Sequence, residues 1–110
     1  MPLTTPLCTL FGIRHPILLA PMGGISGGAL AAAVTRAGGL GLIGGGYGDR
    51  AWLERELAAA GNERIGVGFI TWSLARAPVL RDLVLERAPA AIFLSFGDAR
   101  TGALAFRPQM

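Results

Sequence analysis

Lysine is absent from this chain of 110 residues, and all ten of its basic residues are arginine. That absence removes the phosphate-gripping P-loop and any lysine Schiff base, because both chemistries use a flexible ammonium group. Cysteine and histidine occur once each, as Cys8 and His15. One cysteine forms no intramolecular disulfide, so nothing points to an oxidising compartment, and Cys8 among Leu7, Thr9 and Leu10 reads as a small buried hydrophobe. No group of metal-ligand spacing is present, and no metal is expected. Charge of either sign is sparse: 15% of residues are charged and the formal net charge is +3. Most arginines have an acid nearby, as in Arg50, Glu54, Arg55 and Glu56 or Arg81, Asp82, Glu86 and Arg87, and read as solvated helix faces. A basic stripe interleaved with aromatics is missing, which argues against nucleic acid as a partner. The first ten residues hold no basic side chain, as a secretory signal would require, and the chain is expected to be cytoplasmic.

What is abundant is apolar material, 52% of the chain, enough for one packed core and too short for two ordinary domains. The uncharged stretch from Pro16 to Thr35 has the length of a membrane span, but Pro21 and glycines 23, 24, 27 and 28 cut it into pieces too short to cross, and no membrane partner is expected.

Apolar runs of strand length alternate with runs of helical spacing. Strands are expected at 17–20, 40–43, 65–70 and 91–95. Helices are expected over 28–37, stopped by Gly38-Gly39; over 50–60, capped by Asp49 and ended by Gly61-Asn62; and from Pro78 to about Arg87. The strand starts recur at the length of a βα unit. Strands apolar at nearly every position and joined by helices imply a parallel sheet covered on both faces, hence α/β architecture. Length favours a doubly wound open sheet; the residues at the strand ends favour part of an eight-stranded barrel.

Glycine decides which strand end carries chemistry. Gly39, Gly41 and Gly44 match G-x-G-x-x-G, but they bracket and enter a strand instead of opening a helix, the wrong context for a pyrophosphate. The junction Ala20-Pro21-Met22-Gly23-Gly24 does follow a strand, yet places a proline where phosphate binding needs N–H donors. Proline, methionine and glycine at a strand end suit a flat ring lying on apolar atoms and exposed main chain, or merely a compact turn. Gly66 and Gly68 inside the third strand indicate that something comes close there, a cofactor or a packed helix. Ser95 and Asp98 lie at the corresponding end of the fourth strand, Asp98 reading as a turn residue. Thr71, Trp72 and Ser73 follow the third strand, either lining a pocket or, for Trp72, packing under a loop.

The run LLAPMGGISGGALAAAVTRAGGLGLIGGG, followed by IGVGFI and AIFLSFGD at βα intervals, resembles the N-terminal half of the nitronate monooxygenase family over about residues 10 to 98. Flavin-dependent enoyl-acyl-carrier-protein reductases share much of the pattern. The resemblance implies about four βα units of an FMN-dependent (β/α)8 TIM barrel in residues 1–98, with 99–110 as a tail. It implies that Pro21, Met22 and Gly23 pack against the isoalloxazine ring. Gly68 stands where many members place a flavin-bonding asparagine, and is carried as a cofactor-site residue without that side-chain contact. The family oxidises alkyl nitronates with oxygen to a carbonyl compound and nitrite. Its catalytic histidine and phosphate-gripping loops belong to the second barrel half, so no catalytic residue is assigned here, and His15, ahead of the first strand, is given a structural role. Two alternatives stand beside this reading: a truncated, non-catalytic fragment, and a small doubly wound nucleotide-binding module. Unpaired sheet edges of a partial barrel also point to self-association.

Overall fold

The computed structural model describes residues 3–46, 49–98 and residue 100. Helix α1 (Pro6–Phe11) comes first, followed by α2 (Gly28–Arg36), β1 (Gly41–Gly44), α3 (Arg50–Ala60), β2 (Ile65–Ile70), α4 (Thr71–Arg76), α5 (Val79–Glu86) and β3 (Ile92–Ser95). The three strands form one parallel sheet in the order β1-β2-β3. The chain is α/β and forms part of a (β/α)8 barrel.

Local chemistry accounts for the elements that match their sequence signals. In α3 the Asp49 carboxylate accepts a hydrogen bond from Trp52 N at 3.0 Å, the N-cap the sequence implied, and Leu53, Leu57 and Ala60 are buried along one stripe. In β2 all six expected residues are extended. Alternate strand residues face the helices: Ile43, Ile65, Val67 and Phe69 join Leu53, Leu57, Leu80 and Val84 in the main core. Burial of each such aliphatic side chain contributes about 1.5–3 kcal/mol.

Three differences from the expected elements have local causes. Residues 17–20 make a single parallel bridge, Leu18 to Leu40, in place of a strand. Leu19 N donates to Leu40 O and Leu40 N to Ile17 O, each at 3.0 Å. Pro16 and Pro21 flank the four residues and donate nothing, so the ladder cannot lengthen. Helix α1 was not expected, because six residues opened by Pro6 leave too short a pattern to read. Helix α4 was not expected either: Ile70 is both the last residue of β2 and its N-cap, so no turn residue separates strand from helix. The expected tail, 99–110, falls outside the described residues apart from residue 100.

The bridge places residues 17–20 beside β1, so the spatial order of the four extended segments follows the chain without reversal. A doubly wound sheet reverses its strand order at a switch point, and none exists among the described residues.

Candidate functional site

The residues facing away from the helices form the site. Gly44, Gly68 and Phe93 are in-register neighbours across β1, β2 and β3. Two adjacent glycines leave a trough in the sheet surface, and the chain after Ala20 lies in it. A Cβ on Gly68 would fall on the Pro21 ring, and one on Gly44 would strike the Met22 carbonyl and Gly23 N. The groups nearest to where a Gly68 side chain would sit are the Pro21 ring and Phe93, not a helix. At Gly66 the neighbours are the Leu42 side chain and the Ala91 carbonyl.

Ser26 holds this crossing in place. Its hydroxyl accepts from Met22 N at 2.6 Å and donates to Met22 O at 3.1 Å, while Ser26 O accepts from Gly44 N at 2.9 Å. Ser26 is 0% exposed, so these bonds are dry. On the other side, Trp52 Nε1 donates to Gly44 O at 2.9 Å and Gly45 N to Gly68 O at 2.7 Å. The turn is thus hydrogen-bonded to the end of β1 and packed, through Pro21, on Gly68 of β2.

Beside it opens a cleft of about 210 Å³, at the C-terminal ends of the strands, whose walls include Pro21, Gly23, Gly68, Ile70, Ser95 and Phe96. The remaining wall is formed by Gly44, Gly45, Gly46 and Phe69. Of the four expected cofactor-site residues, Pro21, Gly23 and Gly68 meet at this cleft, while Met22 stands next to it with its side chain 38% exposed. The surface is apolar and main-chain in character, with the Ser95 hydroxyl as its side-chain polar group; no His, Cys, Asp, Glu or Arg is among its described lining residues.

A nearby anion-binding opportunity is already taken. Gly28 N, in the first turn of α2, donates to Glu56 Oε1 at 2.9 Å, so a carboxylate from α3 occupies that helix N-terminus. A phosphate there would meet a fixed negative charge.

The other residues singled out by sequence are placed as follows. His15 N donates to Gly38 O at 3.0 Å near the N-terminal ends of the strands, away from the cleft. Cys8 is buried and free. Asp98 Oδ1 accepts from Arg100 N at 3.0 Å, a turn interaction. Thr71, Trp72 and Ser73 form the first turn of α4 and are not among the cleft-lining residues. Trp72 is half exposed, with the Arg76 guanidinium 5.3 Å above its ring. Sequence reasoning passed over Ser26, Glu56, Gly45, Gly46, Ile70 and Phe96. Phe96 has a signal only in its position after β3; its positive φ of 57° and its 77% exposure are visible in the fold alone. Among the described residues no helix is long and apolar enough to cross a membrane, and no cluster of three or more metal-ligand side chains occurs.

Comparisons with known proteins converge on one family. The family model described as nitronate monooxygenase matches residues 4–63. A nitronate monooxygenase of Paraburkholderia phytofirmans is 60% identical over 38 residues, 34% of this chain and 10% of that protein. A Mycobacterium tuberculosis protein named (3aS,4S,5R,7aS)-5-hydroxy-7a-methyl-1-oxo-octahydro-1H-indene-4-carboxyl-CoA dehydrogenase is 46% identical over 43 residues, 39% of this chain and 12% of that one. Among solved structures, FabK from Thermotoga maritima superposes with a TM-score of 0.79 at 29% identity, over 90% of this chain and 32% of its own. The chain therefore spans about a third of that structure, and the matched stretches cover about a tenth of the curated relatives.

Proposed function

Because this chain belongs to the nitronate monooxygenase family, we propose that it supplies the ring-binding wall of an FMN-dependent oxidoreductase that oxidises alkyl nitronates with oxygen to a carbonyl compound and nitrite. The observation that carries this reading is the meeting of Pro21, Gly23 and Gly68 at one apolar cleft at the C-terminal ends of the strands, the end where barrel active sites lie.

The residues present fit the ring and not the phosphate. Glycine main chain at 44–46 and the Pro21 ring offer a close, flat surface, and Ile70, Phe69 and Phe96 add apolar lining. No arginine lines the cleft among the described residues, and Glu56 occupies the α2 N-terminus. Pro21, Met22, Gly23 and Gly68 are the residues we assign to the ring; the phosphate grip belongs to the rest of the barrel. When bound, FMN supplies the redox chemistry, accepting electrons from the nitronate and passing them to oxygen. The chain's own part is to orient the ring through a turn fixed by Ser26 and to exclude water. Ser95 can hold a hydrogen bond at the mouth, and no side chain among the described lining residues is a general base at neutral pH.

The second reading is that the 110-residue chain is non-catalytic by itself. Mixing the purified chain with FMN and ethyl nitronate tests both statements. A perturbed flavin spectrum without nitrite release is expected; an unperturbed spectrum would contradict the ring wall, and steady nitrite production would contradict the absence of a catalytic group.

A further inference from the structure

An arginine precedes each extended segment: Arg14 before the Leu18 bridge, Arg36 at the end of α2, Arg64 directly before β2 and Arg87 before β3. In a parallel sheet such positions share one end, here the end opposite the flavin cleft. The sequence pattern reads the arginines as helix faces, but Arg14 and Arg64 lie in the loops that lead into extended chain.

Three of them converge. Arg14, Arg36 and Arg64 line a cavity of about 180 Å³ together with Thr35, Gly38 and Gly39. The Arg14 guanidinium lies directly over Gly38, beside the His15 ring. Arg64 donates to the Phe11 carbonyl, and Thr35 Oγ1 donates to Arg64 O at 2.8 Å, which fixes the wall between them. Negative charge is scarce: Glu63 lies 3.7 Å from Arg36, a long and exposed pair worth little. The Arg14 guanidinium makes no hydrogen bond or ion pair with another described residue. The C-terminal carbonyls of α2 do not supply the missing charge, since Ala33 O, Val34 O and Thr35 O accept from Ala37, Gly39 and Gly38 N.

Guanidinium groups stay protonated at any physiological pH and offer paired N–H donors matched to tetrahedral oxyanions. Three exposed arginines lining one small open cavity, with Glu63 the one carboxylate paired to them among the described residues, leave net positive charge that a dianion neutralises. We propose that this pocket binds a phosphate group, free or carried on a small ester, at the end of the barrel opposite the flavin cleft.

Calorimetric titration of the purified chain with inorganic phosphate, against sodium chloride at equal ionic strength, tests it, with phenyl phosphate as the ester arm. Saturable binding at one site is expected. Arg14→Gln is expected to weaken it about tenfold or more, the effect of losing a charged hydrogen-bond partner, while Arg81→Gln on α5 leaves it unchanged. Phenyl phosphate binding more tightly than phosphate identifies an ester as the ligand; equal or weaker binding identifies free phosphate. Far-UV circular dichroism checks that the variants fold, and Arg36→Gln, which alters only an exposed side chain, serves if Arg14→Gln does not. Heat no greater than the chloride control, or equal affinity in Arg14→Gln and Arg36→Gln, would overturn the proposal.

Discussion

The Pro21 ring occupies the space that a Cβ on Gly68 would fill. This contact joins the turn after the first extended segment to the middle of β2, although 47 positions in the chain separate the two residues. It makes the glycine a requirement of backbone and ring packing before any cofactor is considered.

Gly68→Leu is therefore expected to cost about 1–3 kcal/mol by overpacking, measured by urea denaturation. Pro21→Gly should relieve part of that cost, so the double variant is expected to be more stable than the sum of the two changes implies. Strict additivity would show that the two sites do not touch.

Ser26→Ala removes the dry partner of Met22 N and O. A loss of about 1–3 kcal/mol is expected, because a buried donor is left without an acceptor. Stability within about 0.5 kcal/mol of the parent, a typical surface effect, would mean that the turn is held by other contacts.

Met22 presents the opposite balance, since its side chain is partly exposed. Met22→Glu should leave the unfolding midpoint nearly unchanged while weakening flavin-ring binding, as a carboxylate is placed against an apolar ligand. Undiminished ring affinity in this variant would remove Met22 from the proposed contact.

The periodic elements were legible because their signals are local. Asp49, the spacing of Leu53, Leu57 and Ala60, and Gly61 mark α3 within a dozen residues, and β2 is a run of six apolar and glycine residues. Short elements without punctuation were not legible, as α1 and α4 illustrate. For the site, Pro21 and Gly23 stood out at the end of the first expected strand and Gly68 as a glycine inside β2. Glu56 did not, because its carboxylate acts on Gly28 N of a different helix and no local pattern records that pairing. Ser26 was hidden inside a glycine-rich stretch whose hydrogen bonds only the folded turn defines.

Self-association through the sheet edges is expected of this chain. Among the described residues β3 pairs on one side only, with β2, and residues 17–20 pair only with β1. Light scattering of the purified chain is expected to give a mass above that of the monomer and rising with concentration. A monomer at all concentrations would contradict it.

The central claim, that this chain holds the ring and not the phosphate of FMN, is tested most directly by comparing its affinities for FMN and for lumiflavin, which has the same ring and no phosphate, by flavin fluorescence. With the arginine pocket filled by excess inorganic phosphate, weak binding of both is expected, equal within about twofold, since no arginine lines the cleft among the described residues. FMN binding much more tightly than lumiflavin, or neither binding at all, would contradict it.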